Sequence, residues 1–237
     1  MRSKLRAWAQ NCKALRQIAS LEALYESGPR ISALLRKAAC GVTTEEKHMT
    51  ILNNSGQATD LQSLLDKEMI RDLVLSYSRA VDRQDFSFLR TLYTEDAIED
   101  DHGGAYSGPA QGYVNWLQDI MSQVVENGAH LVHNHMIALL GPERAEGEVY
   151  LSGHSRLRLP DGGLEDLTHG MRYLDHYAKS GGIWRFARRT IIVDWLTAGP
   201  TQWAPDRPDT RDAQFGRPGP KDASYKVLSH PLFARRG

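Results

Sequence analysis

The stretch GPERAEGEVYLSGHSRLRLPDGGLEDLTHGMRYLDHYAKSGGIWRF, residues 141–186, decides the fold. Three turn signals in it, GPE, PDGG and SGG, are of the kind that joins the two strands of a β-hairpin. The runs between and around these turns therefore predict four antiparallel strands in a meander, at residues 130–140, 145–159, 164–179 and 183–195. Strands of this length have to curve, and a curved sheet that helices close off encloses a cavity.

The residues before this meander have helical spacing. Asp60 can cap a helix that runs to about Asp82, because apolar residues recur there at every third or fourth position. A shorter helix is predicted to start at Asp85, and Gly108-Pro109 opens a third one. A short strand is predicted at 97–101. Three helices followed by an antiparallel meander predict one α+β domain.

Composition limits the classes of protein to consider. The 237 residues include 29 basic and 29 acidic side chains, and this balance argues against a nucleic-acid-binding protein. No apolar run approaches the about 20 residues of a membrane span, so a transmembrane protein is not expected. Two cysteines cannot form a disulfide framework, which is typical of a reducing compartment, and we predict a cytoplasmic protein.

The charge is unevenly distributed along the chain. Residues 1–48 hold nine basic and four acidic side chains, so the rest of the chain carries the compensating negative charge. We therefore divide the chain into a basic helical extension with a linker (1–59), one pocketed domain (60–196) and an irregular, proline-rich tail (197–237). The extension is interpreted as a transit peptide, a surface anchor or a segment without a role in the chemistry.

Three of the nine histidines lie in the run HLVHNH at 130–135. Alternate residues of a strand share a face, so His133 and His135 are predicted to point together, and His130 goes with Asn134. His133 and His135 could hold a metal ion with the help of a distant carboxylate or of His154. The other interpretation is two strand histidines on the outer face of the sheet, since a ligand set needs three or four groups.

Asp82 ends the first predicted helix, where the helix dipole disfavours a carboxylate. Its position is better explained if it meets an imidazole, because an aspartate that accepts from one ring nitrogen raises the basicity of the other. Tyr77 lies about 140° around the helix from Asp82, so both could border a cavity; otherwise Tyr77 is a core aromatic. His154, on the next strand, could approach the face of His130 or be a cross-strand polar partner.

Several common catalytic motifs are missing from the sequence. The chain has no GxGxxG after a strand, no P-loop, no HExxH and no GxSxG, and the predicted domain has no cysteine. The sequence therefore predicts neither a nucleotide cofactor nor zinc-peptidase, serine-hydrolase or thiol chemistry.

Several segments, in this order, resemble the SnoaL-like branch of the nuclear-transport-factor-like superfamily. They are LDKEMIRDL at 65–73, YSRAVD at 77–82, HxxxNxxI at 130–137, GMRYLD at 170–175 and GIWRF at 182–186. The resemblance covers about residues 60–196. It implies a conical α+β barrel, in which a strongly curved mixed sheet is wrapped by about three helices around a deep pocket.

The resemblance also implies residues of a site. Tyr77, Asp82 and His130 match the bile acid dehydratases of this superfamily. Asp82, His130 and His154 match its scytalone dehydratases, and its hexachlorocyclohexane dehydrochlorinases carry the same Asp–His pair. These enzymes use no cofactor. The resemblance therefore implies a cofactor-free lyase with His130 as its general base, Asp82 as the group that orients it, and Tyr77 or His154 as the proton donor or the group that holds a substrate oxygen.

The expected substrate is a small hydrophobic compound, hydroxylated and either aromatic or polycyclic, which loses water, another leaving group or a carbonyl fragment such as formaldehyde. Four further residues are predicted to bind it: Tyr113, Trp116, Asn134 and Arg189. Neither a metal nor a cofactor is expected. The protein is expected to form a homodimer or homotrimer. Two other hypotheses stay open: a non-catalytic ligand-binding or small-subunit assembly domain of the same fold, and a metal-dependent oxygenase that uses His133 and His135.

Overall fold

The structure is a computed structural model that describes residues 51–52, 58–205 and 207–236. The predicted basic extension lies outside the described residues, and so does most of the predicted linker. Within the described part, Ile51–Leu52 and Ala58–Thr59 form two short strands that pair antiparallel with each other. The main body begins directly after it.

Three helices form where the apolar spacing predicts them. Helix α1 spans Leu61–Asp82, and the carboxylate of Asp60 caps it by accepting from the Ser63 backbone N–H at 2.7 Å. Helix α2 spans Phe86–Thr91 and is capped in the same way by Asp85. Helix α3 spans Ala110–Val124, directly after Pro109. The predicted helices are confirmed.

One mixed sheet of six strands packs against these helices. Its strands are β1 (Tyr93–His102), β2 (Gly108–Pro109), β3 (Val125–Leu139), β4 (Arg144–Arg158), β5 (Leu164–Ser180) and β6 (Ile183–Pro200). Their order across the sheet is β2-β1-β6-β5-β4-β3. Strands β3 to β6 form the predicted antiparallel meander, and β1 lies parallel to β6. The predicted α+β class is thus confirmed, with an open mixed sheet.

The boundaries of three strands differ from the prediction. Strand β3 begins at Val125 rather than at residue 130, because it stays paired with β4 over this stretch. Strand β1 is twice as long as the predicted 97–101, because its parallel pairing with β6 extends it in both directions. Strand β6 continues to Pro200, five residues beyond the predicted end, because it stays paired with the long strand β5. Turn signals indicate none of these differences, since each depends on how far the strand stays paired with its neighbour.

Strand β3 contains a β-bulge that changes which side chains face the helices. Val132 pairs with Leu151 and His135 with Val149, so three steps along β3 match two along β4. Before the bulge, His130 and Val132 face the interior, and after it His135 does, opposite the buried Val149. The alternation of faces therefore shifts by one residue between His130 and His135.

The chain after Pro200 packs partly on the C-terminal end of α1. It contains three short turns of helix, at Gly219–Lys221, Ser224–Val227 and Pro231–Phe233. Gly219 donates its backbone N–H to the Arg83 carbonyl at 3.0 Å, and the Arg235 guanidinium donates to the same carbonyl. Carbonyls that a helix end leaves without partners are satisfied in this way. No helix in the described part of the chain is long and apolar enough to cross a membrane.

Candidate active site

Asp82 and His130 meet where the end of α1 packs on strand β3. Their side chains come together across 48 residues of sequence, with His130 Nδ1 and Asp82 Oδ1 2.6 Å apart. The backbone N–H of His130 also donates to both carboxylate oxygens at 3.1 Å. Both side chains are largely buried, at 12% and 19% exposure. With its Nδ1–H directed to the carboxylate, the imidazole is held as the tautomer whose Nε2 can accept a proton.

A cleft of about 220 Å³ borders this pair. It runs between α1 and β3, and its walls are Leu75, Ser78, Arg79, Asp82, Arg83, His130 and Val132. The hydroxyl of Ser78 is buried there and has no hydrogen-bond partner among the described residues. A cleft large enough for a small ligand therefore lies beside the Asp82–His130 pair.

His169 is a neighbour of this pair that the sequence analysis missed. It lies on β5, and the register His130–Gly153–His169 places both histidines on one face with a glycine between them. The two rings are 6.2 Å apart, centroid to centroid. Burial, helped by the nearby His130 and His154, lowers the pKa of His169 to about 4, so its ring is neutral at physiological pH. The sequence signal for this position is its spacing from Tyr173. The two residues are four positions apart in one strand, so both side chains point to the same face of the sheet.

Tyr77 and Tyr113 lie in the core and bind each other. Their hydroxyls are 2.7 Å apart, and Tyr113 lies 3.5 Å from His102 Nε2. Burial raises the pKa of Tyr77 to about 12 and that of Tyr113 well above its usual value, so both phenols stay protonated. Trp116 packs on His102 at 5.9 Å between ring centroids. Tyr113 and Trp116 thus pack around His102, and Tyr77 is linked to them through Tyr113. None of the three is among the walls of the cleft beside the Asp82–His130 pair.

The structure corrects the expectations for His154 and Asn134. His154 pairs with Ala129, the residue next to His130, so its side chain points to the opposite face of the sheet. There it lies 3.7 Å from the carboxylate of Asp166. Asn134 lies in the bulge of β3 and is exposed, so it does not share a face with His130 as alternation had predicted.

The bulge also separates His133 from His135. The Nε2 of His133 lies 2.8 Å from the Ser152 hydroxyl on the outer face, whereas that of His135 lies 3.2 Å from the Tyr177 hydroxyl in the interior. The expectation that they point together is wrong, so they do not form a ligand pair for a metal. Among the described residues, no three histidine, cysteine or acidic side chains are arranged to hold a metal ion.

Arg189, predicted to bind substrate, lies in the core without any exposure to solvent. Its guanidinium donates two hydrogen bonds of 2.7 Å to Asp175. It also lies about 4.1 Å from the ring centroids of Tyr173 and Phe186, and 4.2 Å from that of Tyr77. The structure corrects this expectation as well, because the guanidinium is paired with Asp175 inside the core and does not border the cleft.

An open mixed sheet, three helices and a carboxylate–imidazole pair beside a cleft define a class of small α+β proteins with a site for acid–base chemistry. The chain belongs to the SnoaL-like domain family, whose model matches residues 62–190, more than half of its length. The family expected from the sequence motifs is therefore confirmed.

Hexachlorocyclohexane dehydrochlorinases are among the similar proteins. The gamma-hexachlorocyclohexane dehydrochlorinase of Sphingobium indicum is 24% identical over 142 residues, which are 59% of this chain and 87% of that enzyme. The structure of a type 2 enzyme (LinA) superposes with a TM-score of 0.55 at 19% identity, over 62% of this chain and 98% of its own. A type 3 enzyme from Novosphingobium barchaimii gives 0.53 at 18% identity, over 62% and 97%. These structures show the fold that the proteins share.

Proposed function

We propose that this protein is a cofactor-independent lyase in which His130 is the general base and Asp82 orients it. One observation carries the proposal: the 2.6 Å contact between His130 Nδ1 and Asp82 Oδ1 beside a ligand-sized cleft. A base that works near neutral pH needs a free ring nitrogen, a fixed tautomer and a nearby negative charge that stabilises the imidazolium. The Asp82–His130 pair supplies all three.

The proposed reaction is an elimination. The Nε2 of His130 removes a proton from a substrate carbon, and the electron pair of the C–H bond forms a double bond to the neighbouring carbon. The bond from that neighbour to its leaving group breaks at the same time, and the leaving group takes the bonding electrons. The Asp82 carboxylate stabilises the imidazolium. If the leaving group is hydroxide, His130 can return the proton to it, so that water departs.

For release of formaldehyde, His130 instead removes the O–H proton of a hydroxymethyl group, whose oxygen forms the C=O bond. The C–C bond to the rest of the substrate then breaks, and its electron pair forms the double bond as the leaving group on the next carbon departs.

The substrate is proposed to be a small hydrophobic compound, hydroxylated and aromatic or polycyclic. The similarity to dehydrochlorinases supports an elimination, although those enzymes act on a chlorinated ring. Leu75 and Val132 give the cleft apolar walls, and Ser78, Arg79 and Arg83 give it polar ones. This lining suits a molecule that has both an apolar part and oxygen substituents. The protonated Tyr77 remains the proposed proton donor or oxygen-binding group for a substrate that reaches the core.

We also propose that the protein forms a homodimer or homotrimer through the outer face of β3, β4 and β5. This face exposes Met136, Tyr150 and Leu174, and large apolar side chains in a group are typical of contacts between chains. A cleft of about 590 Å³ on this face, between Met136 and Leu174, could receive side chains of a second copy.

The proposed activity is tested by screening hydroxylated aromatic, steroid-like and chlorinated cyclic compounds for loss of water, hydrogen chloride or formaldehyde by mass spectrometry. His130→Gln and Asp82→Asn should each lower the rate on any substrate found by about 10²- to 10⁴-fold, because the base or its orientation is lost. His133→Gln is the matched control, since this histidine lies on the outer face and should keep the rate.

Full activity in either the His130 or the Asp82 variant, with unchanged circular dichroism, would contradict the proposed mechanism. A compound that binds the wild-type protein and is never converted would instead favour the non-catalytic ligand-binding hypothesis.

A further inference from the structure

His169 is a buried polar side chain whose hydrogen-bonding capacity is unused. The residue is 5% exposed, and neither ring nitrogen has a hydrogen-bond partner among the described residues. Buried polar groups in native proteins are almost always paired, so one that is not calls for an explanation in terms of function or of a missing partner. Both nitrogens of the His169 ring are unpaired, so on folding the imidazole loses the hydrogen bonds that each nitrogen would make with water.

Gly153 creates the position of this ring. A Cβ added to Gly153 would lie 2.1 Å from His169 Nε2 and 2.7 Å from Cε1, so only glycine leaves room for the imidazole. Gly153 lies directly between His130 and His169 in the sheet. Because Gly153 of β4 has no side chain, the His169 ring of β5 occupies the space over Gly153, on the side of the Asp82–His130 pair.

A neutral imidazole can donate one hydrogen bond and accept another. A hydroxyl can bind whichever nitrogen faces it, because it offers one donor hydrogen and an acceptor oxygen. A chlorine substituent has no donor hydrogen and is a poor acceptor, so it suits neither nitrogen. Since the ring of His169 lies 6.2 Å from that of His130, both imidazoles can reach neighbouring atoms of one small molecule.

We propose that His169 is the hydroxyl-binding residue of the candidate active site, and that it makes the site selective for hydroxylated substrates. This proposal rests on the proposed function of the Asp82–His130 pair and names the substrate class of the same site. One nitrogen of His169 makes the hydrogen bond to the hydroxyl, either as the N–H that donates to its oxygen or as the nitrogen that accepts its hydrogen. Because neither nitrogen is open to water in the free protein, the ring turns towards His130 when the ligand binds.

The first test is the stability of the protein without any ligand. Replacing His169 by leucine, of similar volume, removes two unpaired polar atoms, so the urea midpoint should stay the same or rise. His135→Leu is the matched control. This histidine is also inward-facing, with its pKa lowered to about 4 by burial, but it has a partner in Tyr177. The control variant should lose its hydrogen bond and unfold at lower urea.

The second test is binding of two matched probes, 2-naphthol and 2-methylnaphthalene, measured by equilibrium dialysis. The ratio of their two dissociation constants reports the contribution of the hydroxyl. In His169→Leu the ratio of the two dissociation constants should shift by about five- to tenfold against 2-naphthol, the size of one net hydrogen bond, whereas His135→Leu should keep the wild-type ratio.

An unchanged ratio in His169→Leu, a clearly lower urea midpoint of that variant, or a wild-type protein that does not bind 2-naphthol would each overturn the proposal. Both measurements are made without turnover. A failure here therefore leaves the general-base function of His130 open, which the rate measurements on His130→Gln and Asp82→Asn decide separately.

Discussion

At the scale of single residues, the interior is organised by one buried ion pair. Arg189 and Asp175 make two hydrogen bonds of 2.7 Å and neither side chain is exposed. The flat guanidinium also packs against three aromatic rings, which a lysine could not do in the same way. One of its nitrogens, NH1, has no partner among the described residues. Such a pair fixes the arrangement of the core more than it adds to stability.

Removing one partner of this pair should be costly. In Asp175→Asn the charge of Arg189 loses its counterion inside the core, so we expect the free energy of unfolding to fall by about 3–5 kcal/mol. Urea denaturation measures this change. Arg188→Met is the control: its partner Asp100 is 2.9 Å away but both side chains are about half exposed, and such pairs contribute at most about 1 kcal/mol.

The double variant Asp175→Leu/Arg189→Met separates the two effects. If the cost comes from leaving a charge unpaired, replacing both partners by apolar side chains should recover much of the lost stability. A double variant that is less stable than Asp175→Asn would contradict this explanation.

At the scale of secondary-structure elements, helix α1 is fixed at both ends. Near its start, the Asp66 carboxylate accepts from Lys179 at 2.7 Å and from Trp184 at 2.9 Å, both from the hairpin between β5 and β6. At its end, Asp82 holds His130 on strand β3. The helix is therefore tied to opposite parts of the sheet, and the cleft between α1 and β3 depends on both ties.

The tie at Asp66 predicts a pH dependence of stability. Burial alone would raise the pKa of Asp66, but hydrogen bonds from Lys179, Trp184 and Gln62 bring it below its usual value. A carboxyl whose pKa is lower in the folded state stabilises the fold above its unfolded pKa of about 3.9, and this contribution is lost as the pH falls through the folded pKa.

We therefore expect Asp66→Asn to lower the free energy of unfolding at pH 7 by about 1–3 kcal/mol, and the difference from wild type to shrink below about pH 4. Urea titrations at pH 7 and pH 3 measure it. Glu68→Gln, which removes the exposed carboxylate that pairs with Arg71, should change little at either pH. If the difference in the free energy of unfolding between Asp66→Asn and wild type grows on acidification, the predicted direction of the pH dependence is wrong.

At the scale of the whole molecule, the sheet has one face covered by the helices and one face open. The open face of β3, β4 and β5 exposes Met136, Tyr150 and Leu174, together with the charged pair of Arg172 and Glu148. Glu148 lies between Met136 and Leu174 in the sheet, so the apolar side chains surround this ion pair. Exposed apolar side chains in such a group are typical of a surface that meets another chain.

Light scattering after size-exclusion chromatography tests the proposed homo-oligomer. The wild-type protein should have two or three times the mass of one chain. Met136→Glu should shift it to a single chain, because a second carboxylate is then placed beside Glu148 inside the contact. Leu61→Glu, which changes an equally exposed apolar residue at the start of α1, should keep the wild-type mass. A monomeric wild type would contradict the proposal.

Much of the fold could be predicted because its signals are local. Asp60 and Asp85 cap the helices that follow them, and the turns at 141–143, 160–163 and 180–182 connect neighbouring strands. The meeting of Asp82 with His130 could be expected from the family motifs. The orientations of His133 and His154 could not, since strand alternation holds only until a bulge or a register changes it.

The sequence by itself determined the order of helices and strands, the antiparallel meander and the family, because caps, turns and periodicity act over a few residues. The tertiary structure alone decided which side chains surround the Asp82–His130 pair. It placed Arg189 in the core, turned His154 away and brought His169 across Gly153. The physical reason is that such neighbours depend on strand register and on the parallel pairing of β1 with β6, which join residues far apart in the chain.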